Sequence, residues 1–160
     1  MDEALKKEVQ PIYEQIGALV QASQQMEFSI GFSLTLLNQL NSGTIDDEKF
    51  DSSMDKFSKS TLGRLIGAIK KHIEIDSDSE QALKLALDER NYIIHSFFHD
   101  KTELFTTSLG RKELLNRVQT ARKNIDPGFK ILDSITALLM QANGMSMEAI
   151  MQDVKSSIEY

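Results

Sequence analysis

The sequence predicts an all-α protein, an antiparallel bundle of about five to seven helices. Three observations carry this. Apolar residues recur at spacings of three and four over most of the chain, the period of an amphipathic helix. No segment alternates apolar and polar residues as a half-buried strand does. Short polar clusters, "NSGT" and "DSDSE" among them, punctuate the helical segments as loops do.

The first element is long. Val9, Ile12, Ile16, Leu19, Met26, Ile30, Leu34 and Leu37 mark one helix face from Val9 to Leu40, and "NSGT" at 41–44 ends it. Phe50, Met54 and Phe57 give a short helix over 46–58. Ser60 is placed to cap the next helix, with Leu62, Leu65, Ile66, Ile69 and Ile73 as its stripe. Ser77, followed three residues later by Glu80, has capping-box form and opens a helix that runs through Phe98. After a polar stretch, Leu114, Leu115, Val118 and Ile125 define a helix over about 109–125. Asp126 then reads as an N-cap and Pro127 as a first helical residue, so a separate helix is expected from there to Gly144, a C-terminal cap. Ser146 caps a last helix over about 146–158, with Met145 and Ile150 at staple positions.

At 160 residues the chain is expected to be one domain, with its core over about 8–145. It has no cysteine, which excludes disulfides and thiolate metal sites and gives no sign of an oxidising compartment. The start, "MDEALKKEVQ", lacks an apolar signal region, and runs such as "ALLM" fall far short of a membrane span. A cytoplasmic protein without a membrane partner is the expectation. The net charge of −6 argues against broad nucleic-acid binding, and no DNA partner is expected. The charge is uneven. Residues 1–57 hold 4 basic and 10 acidic residues, whereas 101–130 hold 7 basic and 3 acidic. An anionic partner would meet the C-terminal half.

"ERNYIIHSFF", residues 89–98, sets three strong hydrogen-bonding groups inside an otherwise apolar helix. Leu83, Leu87, Arg90, Ile94 and Phe97 follow at spacings of four, three, four and three, so Arg90 falls within the stripe. Asn91 lies about 100° from it, and Asn91 and His95 stack four residues apart on a face shared with Leu87 and Phe98. The three polar groups are therefore expected at the edge of the buried side. A guanidinium there cannot shed its charge and needs a carboxylate, several carbonyls or a bound anion. Glu27, among apolar residues of the first helix, is the candidate carboxylate for a purely structural pairing. Arg90 and His95 are about 140° apart on an ideal helix, which points to a second copy of the chain supplying the other half of a site.

"RNYIIH", with "TLGRLI" one helix upstream and a basic helical tail downstream, resembles the signature of the HEPN superfamily, the higher eukaryote and prokaryote nucleotide-binding domains. The resemblance spans the first long helix to about residue 145. It implies a HEPN-like fold and a metal-independent ribonuclease acting as a homodimer on RNA, in a toxin–antitoxin or phage-defence setting with an antitoxin or other protein partner. On that resemblance Arg90, Asn91 and His95 are the catalytic residues. His95 would take a proton from a 2′-hydroxyl, the second subunit's His95 would protonate the leaving oxygen, and Arg90 would hold the scissile phosphate. Other members of the superfamily are non-catalytic modules that bind a protein or a nucleotide, and that reading stands beside the first.

Each residue has an alternative. Taken alone, His95 is more often a satisfied core histidine. Arg111, Lys112 and Arg117, with Arg122 and Lys123, are either an RNA track or a solvated face. His95 and His99 have the i, i+4 spacing of a metal pair, but nothing like a metalloprotease motif accompanies them, so neither metal nor other cofactor is expected. Phe97 and Phe98 read as core or dimer-interface packing. No phosphate-binding glycine loop and no nucleophile elbow is present.

Overall fold

The computed structural model describes residues 3–41, 47–142 and 144, and these form an all-α helical bundle without a strand among them. The helices are α1 (Glu3–Asn41), α2 (Asp47–Ser58), α3 (Leu62–Ile69), α4 (Ser77–His95), α5 (Phe97–Asp100) and α6 (Ser108–Ala142), with a 3-10 helix at Thr102–Thr106. No helix among the described residues is long and apolar enough to cross a membrane. The loop expected at 41–44 and the helix expected at 146–158 lie outside the described residues, apart from Asn41 at the end of α1.

Two compact units divide the chain. One comprises Met1–Met26 and Glu74–Ile131, the other Glu27–Ile73 and Leu132–Tyr160. In the first, Val9, Ile12, Ile16 and Leu19 of α1, Leu83, Ala86 and Ile93 of α4, Phe97 of α5, and Leu114, Val118, Ala121 and Ile125 of α6 are buried. The α6 segment is the spine. Arg111 reaches Glu8 and Arg122 donates to Gln15 at 3.0 Å, so the contacts advance together along α1 and α6. On its other side Arg117 meets Glu89, while Gly128 abuts Ala86 and Ala82, so α4 runs the opposite way to α6.

In the second unit Ile30, Leu34 and Leu36 of α1, Leu62, Leu65, Ile66 and Ile69 of α3, and Leu132 and Met140 of α6 are buried. Gly31 lets α1 approach α2: a methyl group there would lie 3.1 Å from the Phe57 Cβ. Glu27 acts as a cap from a distance, its Oε1 accepting from the Leu62 backbone N–H at 3.2 Å, one of the donors a helix start leaves unfilled.

Four boundaries differ from the sequence expectation, each for a physical reason. The separate helices expected at 109–125 and 126–144 are one helix, α6, with Pro127 inside it. Leu114, Val118, Ala121, Ile125, Phe129, Leu132 and Met140 are all buried, so one continuous apolar stripe passes the proline and its burial outweighs the lost hydrogen bond. Pro11 is carried inside α1 in the same way, between Val9 and Ile12. The α4 cap is Asp76 rather than Ser77. Its Oδ1 accepts from the N–H groups of Asp78 and Ser79 at 3.1 and 2.9 Å, which a serine hydroxyl one residue later could not reach. The α3 cap position is Thr61 rather than Ser60; Thr61 makes no side-chain cap bond, and Glu27 fills the Leu62 donor. Finally, α4 stops at His95 instead of Phe98. The backbone turns at Ser96 (φ −120°, ψ −27°), and α5 carries Phe98 onto Tyr13 and Phe105, ring contacts worth ~1 kcal/mol beyond their buried area.

Gly144, expected as the C-terminal cap, has φ +68° and its N–H donates to the Gln141 carbonyl at 3.0 Å. Gly128 needs its missing side chain for space rather than for backbone freedom. A Cβ there would strike the Ala86 methyl and lie 2.9 Å from the Ala82 carbonyl oxygen. Gly128→Ala should therefore destabilise the protein by about 1–3 kcal/mol, read as a lower urea midpoint. An unchanged midpoint would mean that α4 and α6 do not meet there.

Candidate functional site

The site begins with which way α4 faces. Leu83, Ala86 and Ile93 are buried, and Arg90 falls on the same line, between Ala86 and Ile93. The core stripe thus runs through Ala86 and Ile93 rather than through Leu87 and Ile94, which are half-buried. Arg90 keeps its place within it. Its side chain is half-buried, its Nε is enclosed, and its Nη1 donates to the Asn91 Oδ1 at 3.0 Å. Arg90 and Asn91 are therefore brought together, with the amide oxygen fixing one edge of the guanidinium. Glu27 uses one carboxylate oxygen on the α3 cap.

His95 is placed differently from the expectation. It is exposed, not at the edge of the buried side. The reason is the rotation just described: about 140° from Arg90, it stands roughly 165° from the centre of the Leu83–Ala86–Ile93 line. Among the described residues no hydrogen bond joins it to Arg90 or Asn91. One protomer presents an anchored guanidinium–amide pair and, one turn on, an imidazole open to solvent. A core histidine is excluded by that exposure.

Two of the basic residues of α6 are turned to neighbouring helices. Arg111 is only 12% exposed; its Nε bonds the Glu8 Oε2 at 2.7 Å and its Nη1 the Phe105 carbonyl at 2.6 Å. Arg117 turns toward α4, where its Nη2 bonds the Glu89 Oε2 at 2.7 Å and its guanidinium sits 4.9 Å over the Tyr92 ring. Asn124 donates to the other oxygen of Glu89 at 3.1 Å. Lys112 alone of the three is exposed. Arg111 and Arg117 thus hold α6 to its neighbours.

Sequence reasoning missed a cluster of three rings. Tyr13 and Phe98 are 5.8 Å apart, Phe98 and Phe105 5.8 Å, and Tyr13 and Phe105 6.4 Å, with planes inclined by only 31°, 24° and 21°. Tyr13 is 54% and Phe98 40% exposed. One signal was available: Tyr13 lies off the stripe of Val9, Ile12 and Ile16, an aromatic on the outward side of α1.

No family model, curated protein or solved structure matches the chain.

The Arg111 contact holds the Glu8 carboxyl below its ordinary value of 4.5, with the Ser108 hydroxyl, which donates at 2.9 Å, adding to the effect. A lowered carboxyl contributes stability above its unfolded value and loses it as pH falls through the folded one. Glu8→Gln should therefore melt below wild type at pH 7, and the gap should close as pH falls below about 4.5. A gap that stays constant down to pH 2 would assign the loss to packing instead of charge.

Proposed function

We propose that the protein is a metal-independent endoribonuclease that acts as a homodimer, with Arg90, Asn91 and His95 of each copy facing one cleft. The observation that carries this reading is the exposed His95 at the end of a helix whose buried line holds Arg90, with Asn91 bonded to its guanidinium. A solvent-facing imidazole is open to a substrate. A half-buried guanidinium held by an amide is a preorganised partner for a phosphate, because little reorganisation remains when charge develops on it.

The chemistry follows from these groups. One His95 removes the proton of a ribose 2′-hydroxyl, whose oxygen attacks the adjacent phosphorus. The His95 of the second copy protonates the departing 5′-oxygen. Arg90 stabilises the charge on the phosphoryl oxygens, and Asn91 orients the guanidinium through its Oδ1. The products are a 2′,3′-cyclic phosphate and a 5′-hydroxyl end. Two imidazoles supply both proton transfers, so the step needs no metal.

A second reading has its own support. Glu8 and Glu89 engage Arg111 and Arg117, which leaves less free positive charge for a polyanion. That favours a non-catalytic helical module that binds a protein partner, such as an antitoxin, or a nucleotide.

The purified protein should cut single-stranded RNA in the presence of EDTA, and a 2′-deoxy substitution at the cut site should block the cut. His95→Ala should lower the rate by ~10²–10⁴-fold. Arg90→Lys should also lower it, because a point charge does not replace the planar fork. Circular dichroism must show both variants folded. Sedimentation should give a dimer; a lone 18.1-kDa species at micromolar concentration, or His95→Ala cutting at the wild-type rate, overturns the reading.

A further inference from the structure

The outward face of α1 carries an ordered set of groups. Lys6, Gln10 and Glu14 are exposed and follow one another at intervals of four, so they stand in a row along the helix. Gln10 is the middle of the row, with an ammonium about 6 Å toward one end and a carboxylate about 6 Å toward the other. Its Nε2 donates to the Glu14 Oε1 at 2.6 Å, which holds the carboxylate in the row. These three residues, with Val9 and Tyr13, line an open cavity of about 450 Å³. Beside the row the Tyr13 ring, 54% exposed, meets Phe98, 40% exposed, and Phe105. Exposed aromatic surface of this kind marks an interaction site. The two charges in the hollow cancel, so they favour neither a polyanion nor a polycation. They favour a surface with the same two charges in the reverse order.

We propose that this face of α1 pairs with the same face of a second copy, antiparallel, about a two-fold axis at Gln10. The inference rests on the homodimer of the ribonuclease reading and names the face that joins its copies. Reversing the helix about Gln10 exchanges positions 6 and 14, so Lys6 comes level with Glu14 of the second copy, and Glu14 with Lys6 of the second copy. One chain thus supplies both halves of two ion pairs. Gln10 suits the axis itself, because an amide both donates and accepts and can bond its own copy. Tyr13 is three residues from the axis, to one side of the row, and the two-fold leaves both ring clusters on that side. The rings withdraw each other from water there, which is the apolar contribution to the contact. Phe98 is three residues beyond His95, so the pairing also brings the α4 ends of the two copies toward one side of the dimer.

Sedimentation at micromolar concentration should give a dimer whose affinity depends on the order of these charges. Lys6→Glu and Glu14→Lys should each weaken it by about three- to thirtyfold, since symmetry repeats every lost pair. The double variant, Lys6→Glu with Glu14→Lys, should recover the wild-type affinity, because the pairs are restored with their signs exchanged. Circular dichroism should be unchanged in all three, as both positions are exposed. The chain has no cysteine, so Gln10→Cys provides a single thiol, and mild oxidation should join two copies through it. Lys84→Cys, exposed in the first half of α4, should stay unlinked. If the protein dimerises but the single variants match wild type, or the double variant stays as weak as they are, the copies meet elsewhere. The pairing then fails while the ribonuclease reading stands, and the same follows if Gln10→Cys links no faster than Lys84→Cys. A wild type that stays at 18.1 kDa overturns both. Charge-swap rescue in a protein that never cuts RNA supports the pairing and removes the ribonuclease reading.

Discussion

The close approach of α4 and α6 at Gly128 fixes the rest of the first unit. Only a residue without a side chain lets the α6 backbone come this near to Ala82 and Ala86. Once Ala86 is pressed against Gly128, the rotation of α4 is no longer free. Ile93 turns into the core, Glu89 meets Arg117 and Asn124, and Tyr92 lies under the Arg117 guanidinium. The same rotation sends His95 outward. Spacing alone puts Leu87 and Ile94 in the core as readily as Ala86 and Ile93. A glycine on another helix makes the choice, and with it the difference between a core histidine and an exposed one.

Much of this was legible in the sequence, but unevenly. The helix content was, because a three-four period over long segments has no other stable reading. The span of α2 followed closely from apolar spacing, whereas α1 begins six residues before the expected Val9 and α3 ends at Ile69, short of the expected Ile73. Asp126-Pro127-Gly128 gave a false boundary. Locally it is a sound helix start, but the buried residues on both sides keep one phase, and tertiary burial outweighed the local signal. The polar trio shows the same division. That Arg90 sits in an apolar stripe was legible; that His95 sits opposite it required the stripe's true centre, known only once Ala86 and Ile93 are seen to be buried. The caps were misplaced by one residue, since Asp76, Ser77 and Ser79 are all capping types and only geometry selects Asp76.

Charge in the C-terminal half gained a meaning that counting could not supply. The excess of basic residues over 101–130 suggests an anion-facing surface. Two of the arginines are instead fasteners for α6: Arg111 binds α1 through Glu8, and Arg117 binds α4 through Glu89. Half-buried arginines suit this role because one planar fork bridges a carboxylate and a carbonyl or ring at once, as Arg111 does with Glu8 and Phe105. The Arg111 contact also steadies the segment that carries Phe105. The ring cluster therefore shares its anchor with the α1–α6 packing.

The separation of Arg90 from His95 constrains how the proposed chemistry would be assembled. Within one protomer the guanidinium lies in the buried line and the imidazole on the opposite side of the helix. Rotamer changes alone do not carry an imidazole around a helix about 10 Å across. A cleft holding both types of group near one phosphate then needs a second surface brought up to the end of α4. A two-fold pair supplies it economically, since each copy offers the exposed His95 that the other lacks on its Arg90 side. In such an arrangement His95 stands in the last turn of α4, directly before the break at Ser96. There α4 ends directly after His95 and Phe98 lies against Tyr13 and Phe105.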